Sequence, residues 1–215
     1  KQLLASIGSG MTDCRPAMSA IDPGLDRAAY TFNPGIAGIE QADAILLIGT
    51  NPRKEAALVN ARIRKAWRAN GMPIGVVGDQ ADLTYDYEHL GNDFAALANV
   101  AAGKGFAKKL KDAKNPLIIV GEGAVSFAKQ GKQAGRDVMA LAAEIASKTG
   151  ALTDEWNGFA MLHNAAARVG GLDIGFVPHD GGVCSADQIG LAAQGKLDVL
   201  FLLGADEYDM SAMGD

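Results

Sequence analysis

One stretch constrains this chain more than any other, Ala44-Ile-Leu-Leu-Ile-Gly-Thr-Asn-Pro-Arg-Lys-Glu-Ala-Ala-Leu-Val-Asn-Ala-Arg-Ile-Arg-Lys-Ala-Trp67. The continuous apolar run from Ala44 to Ile48 is the pattern of a strand buried on both faces. Gly49 ends the run and lets the backbone turn with no Cβ in the way. Asn51 suits an N-cap, and Pro52 fits the first helical position, where its missing N–H loses nothing. Ala56, Val59, Ile63, Ala66 and Trp67 then share one helical face, which predicts a helix lying on a sheet. Asn70-Gly71 closes that helix, Pro73 forbids its continuation, and Ile74 to Val77 forms a second apolar strand ahead of Gly78-Asp79. The result is a βαβ unit, whose crossover is right-handed in nearly every known case.

The same device recurs. Ile45-Leu-Leu-Ile-Gly49, Leu117-Ile-Ile-Val-Gly121 and Leu200-Phe-Leu-Leu-Gly204 are three apolar runs, each ended by glycine. Around them, helices are predicted at Gln133 to Lys148, Phe159 to Val169 and Gln188 to Gln194, with strands at Asp173 to Val177 and Asp198 to Gly204. Asn92 or Asp93 is the expected cap of a helix carrying Phe94, Leu97 and Ala101. Leu83 to Gly91 reads as a polar aromatic loop, and Met11 to Pro34 as a long covering loop. Strand–helix alternation of this kind predicts an α/β fold with mainly parallel sheets. The lysine-rich stretch before Pro116 sets an expected boundary at Lys111 to Asn115, dividing the chain into α/β lobes over residues 1–112 and 113–215. Both lobes are expected to be trimmed at their outer ends.

Charge and chemistry narrow the function classes. A net charge of −5 opposes a general nucleic-acid surface, which takes clustered positive charge. The basic residues Arg62, Arg64, Lys65 and Arg68 fall on the predicted outer face of the first helix, where a solvated role is expected. No apolar run approaches the ~20 residues of a bilayer-spanning helix. The two cysteines, Cys14 and Cys184, are widely spaced and fall short of the four thiolates an iron–sulfur cluster usually takes.

The turn Gly49, Thr50, Asn51, Pro52 is the natural anion site, because free N–H groups point beyond the strand end. Arg53 and Lys54 oppose the helix dipole there and are expected to be solvated, with a phosphate site or an acidic partner surface as the alternative. Neither a three-glycine dinucleotide fingerprint nor a P-loop is present. His179 and Cys184 flank Asp180-Gly-Gly-Val183, but a zinc site takes four ligands and no second pair lies nearby in sequence. His163 is expected to be a packing histidine in a helix. His89 sits beside Tyr87 and Glu88 with no nucleophile in a recognisable elbow. Asp206-Glu-Tyr-Asp209 is expected to be the acidic first turn of a helix rather than a divalent-cation site. Neither a catalytic constellation nor a metal site is expected.

The wording of the motifs adds a resemblance. Ala42-Asp-Ala-Ile-Leu-Leu-Ile-Gly-Thr-Asn-Pro52 with Arg62-Ile-Arg-Lys65 resembles the molybdopterin oxidoreductase superfamily, in which this turn approaches the cofactor's diphosphate. Asp13-Cys-Arg15, Phe32 to Glu40, Asp82 to Gly91, Trp156-Asn-Gly-Phe159, Ala165 to Asp173 and Leu202 to Asp206 are similar, in order, to the large iron–sulfur subunit family of respiratory NADH:quinone oxidoreductase (complex I). That resemblance implies two Rossmann-like three-layer lobes and a scaffold role in electron transfer from NADH to quinone, in the peripheral arm among other complex I subunits. It places the protein on the cytoplasmic or mitochondrial matrix side without membrane insertion. Cofactor-loaded members of the superfamily carry Asp-Pro-Arg where this chain has Gly78-Asp79-Gln80, and often His-Pro where it has Glu55-Ala-Ala57. The resemblance therefore implies a vestigial turn at Gly49, Thr50, Asn51 and Pro52 with no cofactor, a region not catalytic alone, and iron–sulfur clusters held by polypeptide N-terminal to it. The alternative is a functional molybdopterin- or nucleotide-binding oxidoreductase domain.

Overall fold

The computed structural model describes residues 1–15, 19–126, 131–205 and 208. After α1 (Gln2–Ser6) and α2 (Gly35–Gly38), the chain enters β1 (Ala44–Ile48), α3 (Pro52–Glu55), α4 (Ala57–Asn70) and β2 (Ile74–Val77). Next come β3 (Glu88–Gly91), α5 (Phe94–Ala101), α6 (Ala107–Asp112) and β4 (Pro116–Gly121). The last elements are α7 (Gly131–Thr149), β5 (Phe159–Leu162), α8 (Arg168–Asp173) and α9 (Ser185–Ala193). The strands form one five-stranded sheet in the order β3-β2-β1-β4-β5, with every pairing parallel.

Period-two alternation divides the core. Leu46, Ile48, Val77, Ile118, Val120, Phe159 and Met161 pack on one face with Leu97 and Val100 of α5, Leu110 of α6 and Ile145 of α7. Ile45, Leu47, Ile74, Val76, Leu117, Ile119 and Ala160 pack on the other with Val59, Ile63 and Ala66 of α4. All five β1 residues are buried, at no more than 2% exposure. Full burial of a large aliphatic side chain contributes about 1.5–3 kcal/mol, so β1 and the equally buried β4 anchor the sheet.

Several expectations change. Two lobes meeting at Lys111–Asn115 would give two sheets, whereas β4 pairs with every residue of β1, from Ala44↔Pro116 to Ile48↔Val120. The expected linker is pinned to the entry of β1, since Lys114 and Asn115 donate their N–H groups to the Asp43 carboxylate at 2.8 Å. Leu83–Gly91, read as a loop, contains β3, a short edge strand beside β2. Phe159–Val169, read as a helix, begins as β5, because pairing of Phe159 with Ile118 and Met161 with Val120 overrides the helical propensity of Phe-Ala-Met-Leu. The chain is helical at α8, which includes Gly170 and Gly171, and the strand expected at Asp173–Val177 does not form. Asp198–Gly204 contains no strand. The predicted single helix after Pro52 is two, broken at Ala56, whose φ of −152° is not helical. The acidic residues Asp206, Glu207 and Asp209 lie outside the described residues.

Candidate functional site

β1 and β4 are neighbours, but the helices that follow them pack on opposite faces of the sheet. Their carboxyl ends are therefore the switch point at which open α/β sheets form a ligand crevice. Here that crevice is filled by protein. Gly49 turns with φ +56°, and a Cβ placed on it would stand 2.4 Å from the Cβ of Ala124. A Cβ on Gly121 would stand 2.6 Å from the Gly49 carbonyl oxygen. The 3-10 turn Glu122–Val125 thus packs directly against the exit of β1.

The donors of the turn are occupied as well. The Asn51 N–H donates to Glu55 Oε1 at 3.1 Å, and the Thr50 hydroxyl donates to Glu55 Oε2. A carboxylate of the chain therefore sits where a strand–turn–helix would present its donors to an anion. It works like the acidic arm of a capping box, set one residue further along. The expected cap is corrected accordingly: the Asn51 side chain makes no cap hydrogen bond, and its Oδ1 is buried without a hydrogen-bond partner. Pro52 holds the first helical position as anticipated. Arg53 turns to Asp82, donating to its backbone oxygen at 2.9 Å and to its carboxylate, while Lys54 is exposed. On the outer face of α4, Arg62 and Lys65 both meet Glu40.

A second polar cluster follows the ends of β4 and β5. The Glu122 carboxylate, fully buried, accepts the Asn164 N–H at 3.1 Å and lies 3.3 Å from Arg168 Nε. Removing one member of such a buried pair leaves the other charge uncompensated, a loss of about 3–5 kcal/mol. Nearby, Asp13 accepts from Arg15 Nε at 2.9 Å and from the Ser185 N–H at 3.1 Å, and Ser185 returns its hydroxyl to the Arg15 carbonyl. Gly171 is required in α8, since a Cβ there would lie 2.6 Å from Cys14 Cβ. Asp13-Cys-Arg15 thereby lies against both α8 (Arg168–Asp173) and the start of α9. The Glu122–Arg168 pair escaped sequence reasoning because nothing local links the two positions. The motif containing Arg168 was its only trace.

The remaining candidates are held apart. His89 Nε2 lies 2.8 Å from the Gly78 carbonyl, so this nitrogen carries the proton, and Nδ1 accepts from Gln80 at 3.2 Å. His89 thus braces the Gly78-Asp79-Gln80 corner. His163 follows β5 rather than lying in a helix, and its Nε2 donates to the Tyr30 carbonyl at 2.7 Å. His179 faces Asp180 at 3.0 Å, whereas the Cys184 thiol donates to Asp187 at 3.0 Å, so different carboxylates engage the two. Cys14 and Cys184 are both free, and burial above all pushes both thiols up, away from the reactive thiolate form. Tyr85, packed beside Trp67, donates to Asn60 at 3.0 Å, and burial raises its phenol above the usual range. The aromatic loop is therefore a clasp on α4.

Comparison with known proteins agrees with this architecture. The molybdopterin oxidoreductase family profile matches residues 1–213. The NADH-ubiquinone oxidoreductase 78 kDa subunit, mitochondrial, of Neurospora crassa is 46% identical over 190 residues, 86% of this chain and 23% of that protein. NADH dehydrogenase [ubiquinone] iron-sulfur protein 1, mitochondrial, of Solanum tuberosum is 39% identical over 217 residues, 100% of this chain and 27% of that protein. The Candida albicans 78 kDa subunit is 41% identical over 211 residues, 96% of this chain and 27% of that protein. The chain spans about a quarter of the length of these relatives. By its parallel sheet and by sequence over nearly its whole length, this chain belongs to the molybdopterin oxidoreductase family.

Proposed function

We propose that this chain is a scaffold region of the iron–sulfur subunit of a respiratory NADH:quinone oxidoreductase, with a degenerate molybdopterin-type fold and no cofactor of its own. Its relatives are subunits of that enzyme, and one is named an iron–sulfur protein. The observation that carries the no-cofactor reading is the Glu55 carboxylate on the Asn51 N–H and the Thr50 hydroxyl. A cofactor diphosphate at this turn would have to displace that carboxylate, and the Ala124 contact leaves Gly49 no open approach from the β4 side. The turn residues therefore do not fit the group that the family's name implies. Gly49, Thr50, Asn51 and Pro52 serve as a packing corner, and no step of electron transfer is assigned to them.

In this reading the region contributes shape and rigidity to an enzyme whose NADH-derived electrons pass through clusters held elsewhere in the subunit. Cys14 and Cys184 are two cysteines where a cluster usually takes four. Its partners are the other peripheral-arm subunits, on the matrix side of the mitochondrial membrane or the cytoplasmic side of a bacterial one. Among the described residues, no helix is long and apolar enough to cross a membrane.

Elemental analysis of the purified protein, with acid–iodine oxidation to release any pterin, tests the proposal. The expected result is no stoichiometric molybdenum, tungsten or iron, no fluorescent pterin and no NADH oxidation with artificial acceptors. Near-stoichiometric molybdenum accompanied by a fluorescent pterin would replace it with a functional molybdopterin oxidoreductase.

A further inference from the structure

The outer face of α3 and α4 concentrates positive charge in a chain whose net charge is −5. Arg53 and Lys54 of α3 and Arg62, Arg64, Lys65 and Arg68 of α4 are all exposed, and α4 contains no carboxylate. Glu40 pairs with Arg62 and Lys65, Asp82 pairs with Arg53, and Glu55 is engaged by the Gly49 turn. Lys54, Arg64 and Arg68 meet no carboxylate among the described residues, and Arg64 donates only to the Thr84 carbonyl, at 3.1 Å. Arg64 and Arg68 stand at i, i+4, and Arg62 and Lys65 at i, i+3, spacings at which like charges destabilise a helix. Of these cations only Arg68 lies in the last turn, where the helix dipole favours it. An open hollow of about 470 Å³ runs along the face, lined by Ala61, Arg64, Lys65, Arg68 and Ala69. Leu58, three residues before Ala61 and on the same side of the helix, is 73% exposed. The helix therefore presents a ridge from Leu58 to Arg68, about 15 Å long, apolar at one end and cationic at the other.

We propose that this ridge docks an acidic segment of another protein, whose carboxylates meet Lys54, Arg64 and Arg68 and whose apolar side chain covers Leu58. The inference rests on the scaffold reading, since it names the chemistry of one partner surface within that enzyme. Charge complementarity decides the occupant. Carboxylates from outside relieve the repulsion among cations that Glu40, Glu55 and Asp82 leave unneutralised, and the short side chains of Ala61 and Ala69 let a partner approach the helix closely. Nucleic acid suits the ridge less well. Its phosphates would run past the cations onto a remaining surface more acidic than the overall −5, and they offer nothing to Leu58. That acidic remainder makes a second copy of this chain the competing occupant.

Zero-length carbodiimide cross-linking of the assembled NADH:quinone oxidoreductase, read by mass spectrometry, tests this inference. The reagent joins a lysine amine to a carboxylate in contact with it, so Lys65–Glu40 at 2.8 Å and Lys109–Glu88 at 2.7 Å are built-in controls. The expected result is Lys54 or Lys65 joined to an aspartate or glutamate of a different polypeptide, at a yield that falls as ionic strength rises. In the enzyme carrying Arg64→Gln with Arg68→Gln, that yield is expected to drop at least ~3-fold while the Lys65–Glu40 product is unchanged. Control products without any intermolecular product from Lys54 or Lys65 would overturn the proposal and leave the face solvated. An intermolecular yield unmoved by the double substitution would overturn it too. A product joining two copies of this chain would overturn it in favour of self-association. Failure of the chain to co-purify with the enzyme would overturn the scaffold reading along with it, and is seen before any cross-linking, so the two failures are distinguishable.

Discussion

Ala44–Gly49 and Val199–Gly204 are almost the same sentence in the sequence and opposite situations in the structure. The first is buried to within 2% at every strand position, paired on both sides and closed by Glu55 at its exit. The second has the same glycine turn but presents Phe201 and Leu203 to solvent. An apolar run specifies how much surface must be removed from water, and it leaves open which strands will do the removing. β1 finds β2 and β4 within the chain, and Val199–Leu203 finds no strand among the described residues.

Matched substitutions test that contrast most forcefully. Leu46→Asp would bury an unpaired carboxylate in the central strand, a penalty of several kcal/mol against a total stability of ~5–15 kcal/mol, and is expected to abolish cooperative folding. Leu203→Asp, at 84% exposure, is expected to change the stability of the 215-residue chain by less than ~0.5 kcal/mol. Urea melts followed by circular dichroism read both. A comparable loss for Leu203→Asp would mean that the run is already packed in this chain.

The glycine turns give a finer comparison. Gly49→Val adds a clash with Ala124 to left-handed backbone strain, together roughly 2–5 kcal/mol. Gly204→Val has open space around its Cβ and carries the backbone penalty alone, about 1–2 kcal/mol. Equal effects would remove the crevice-filling role assigned to the 3-10 turn Glu122–Val125.

A smaller effect concerns the end of α8, where Asp173 is held by Arg27 and Tyr30. Arg27 and Tyr30 hydrogen-bond the Asp173 carboxylate, and the Arg27 bond, foremost, holds its pKa below the ordinary value. A carboxylate depressed on folding contributes stability that is fully present above its unfolded pKa of about 4 and is lost as pH falls through the lower folded value. Asp173→Asn should therefore lower Tm slightly at neutral pH and converge with the wild type in acid. A gap that persisted unchanged below pH ~3 would show the contribution to be packing rather than charge.

How much of this was legible follows from where the information resides. β1, β2, β4, α4 and α7 were readable because a continuous apolar run or a helical stripe is a local signal. β3 was not, because an edge strand reading Glu-His-Leu-Gly has half its side chains polar. β5 was hidden by good helix formers whose state is decided by pairing with β4. The turn at Gly49 was visible, but its occupant was not. Glu55 was treated as a departure from a His-Pro pattern, although a glutamate this close to an N-cap is able to reach back and satisfy it. Glu122 and Arg168 meet only because β4 and β5 are adjacent, which no local pattern encodes.

The central claim is that the donors of the Gly49 turn belong to Glu55. Its most direct test is an amide NMR titration of the protein with inorganic pyrophosphate, following Thr50, Asn51 and Arg53. The account predicts no saturable shift at these amides in the wild-type chain. A saturable, stoichiometric shift of the Asn51 amide would show that an anion displaces the Glu55 carboxylate and would contradict it.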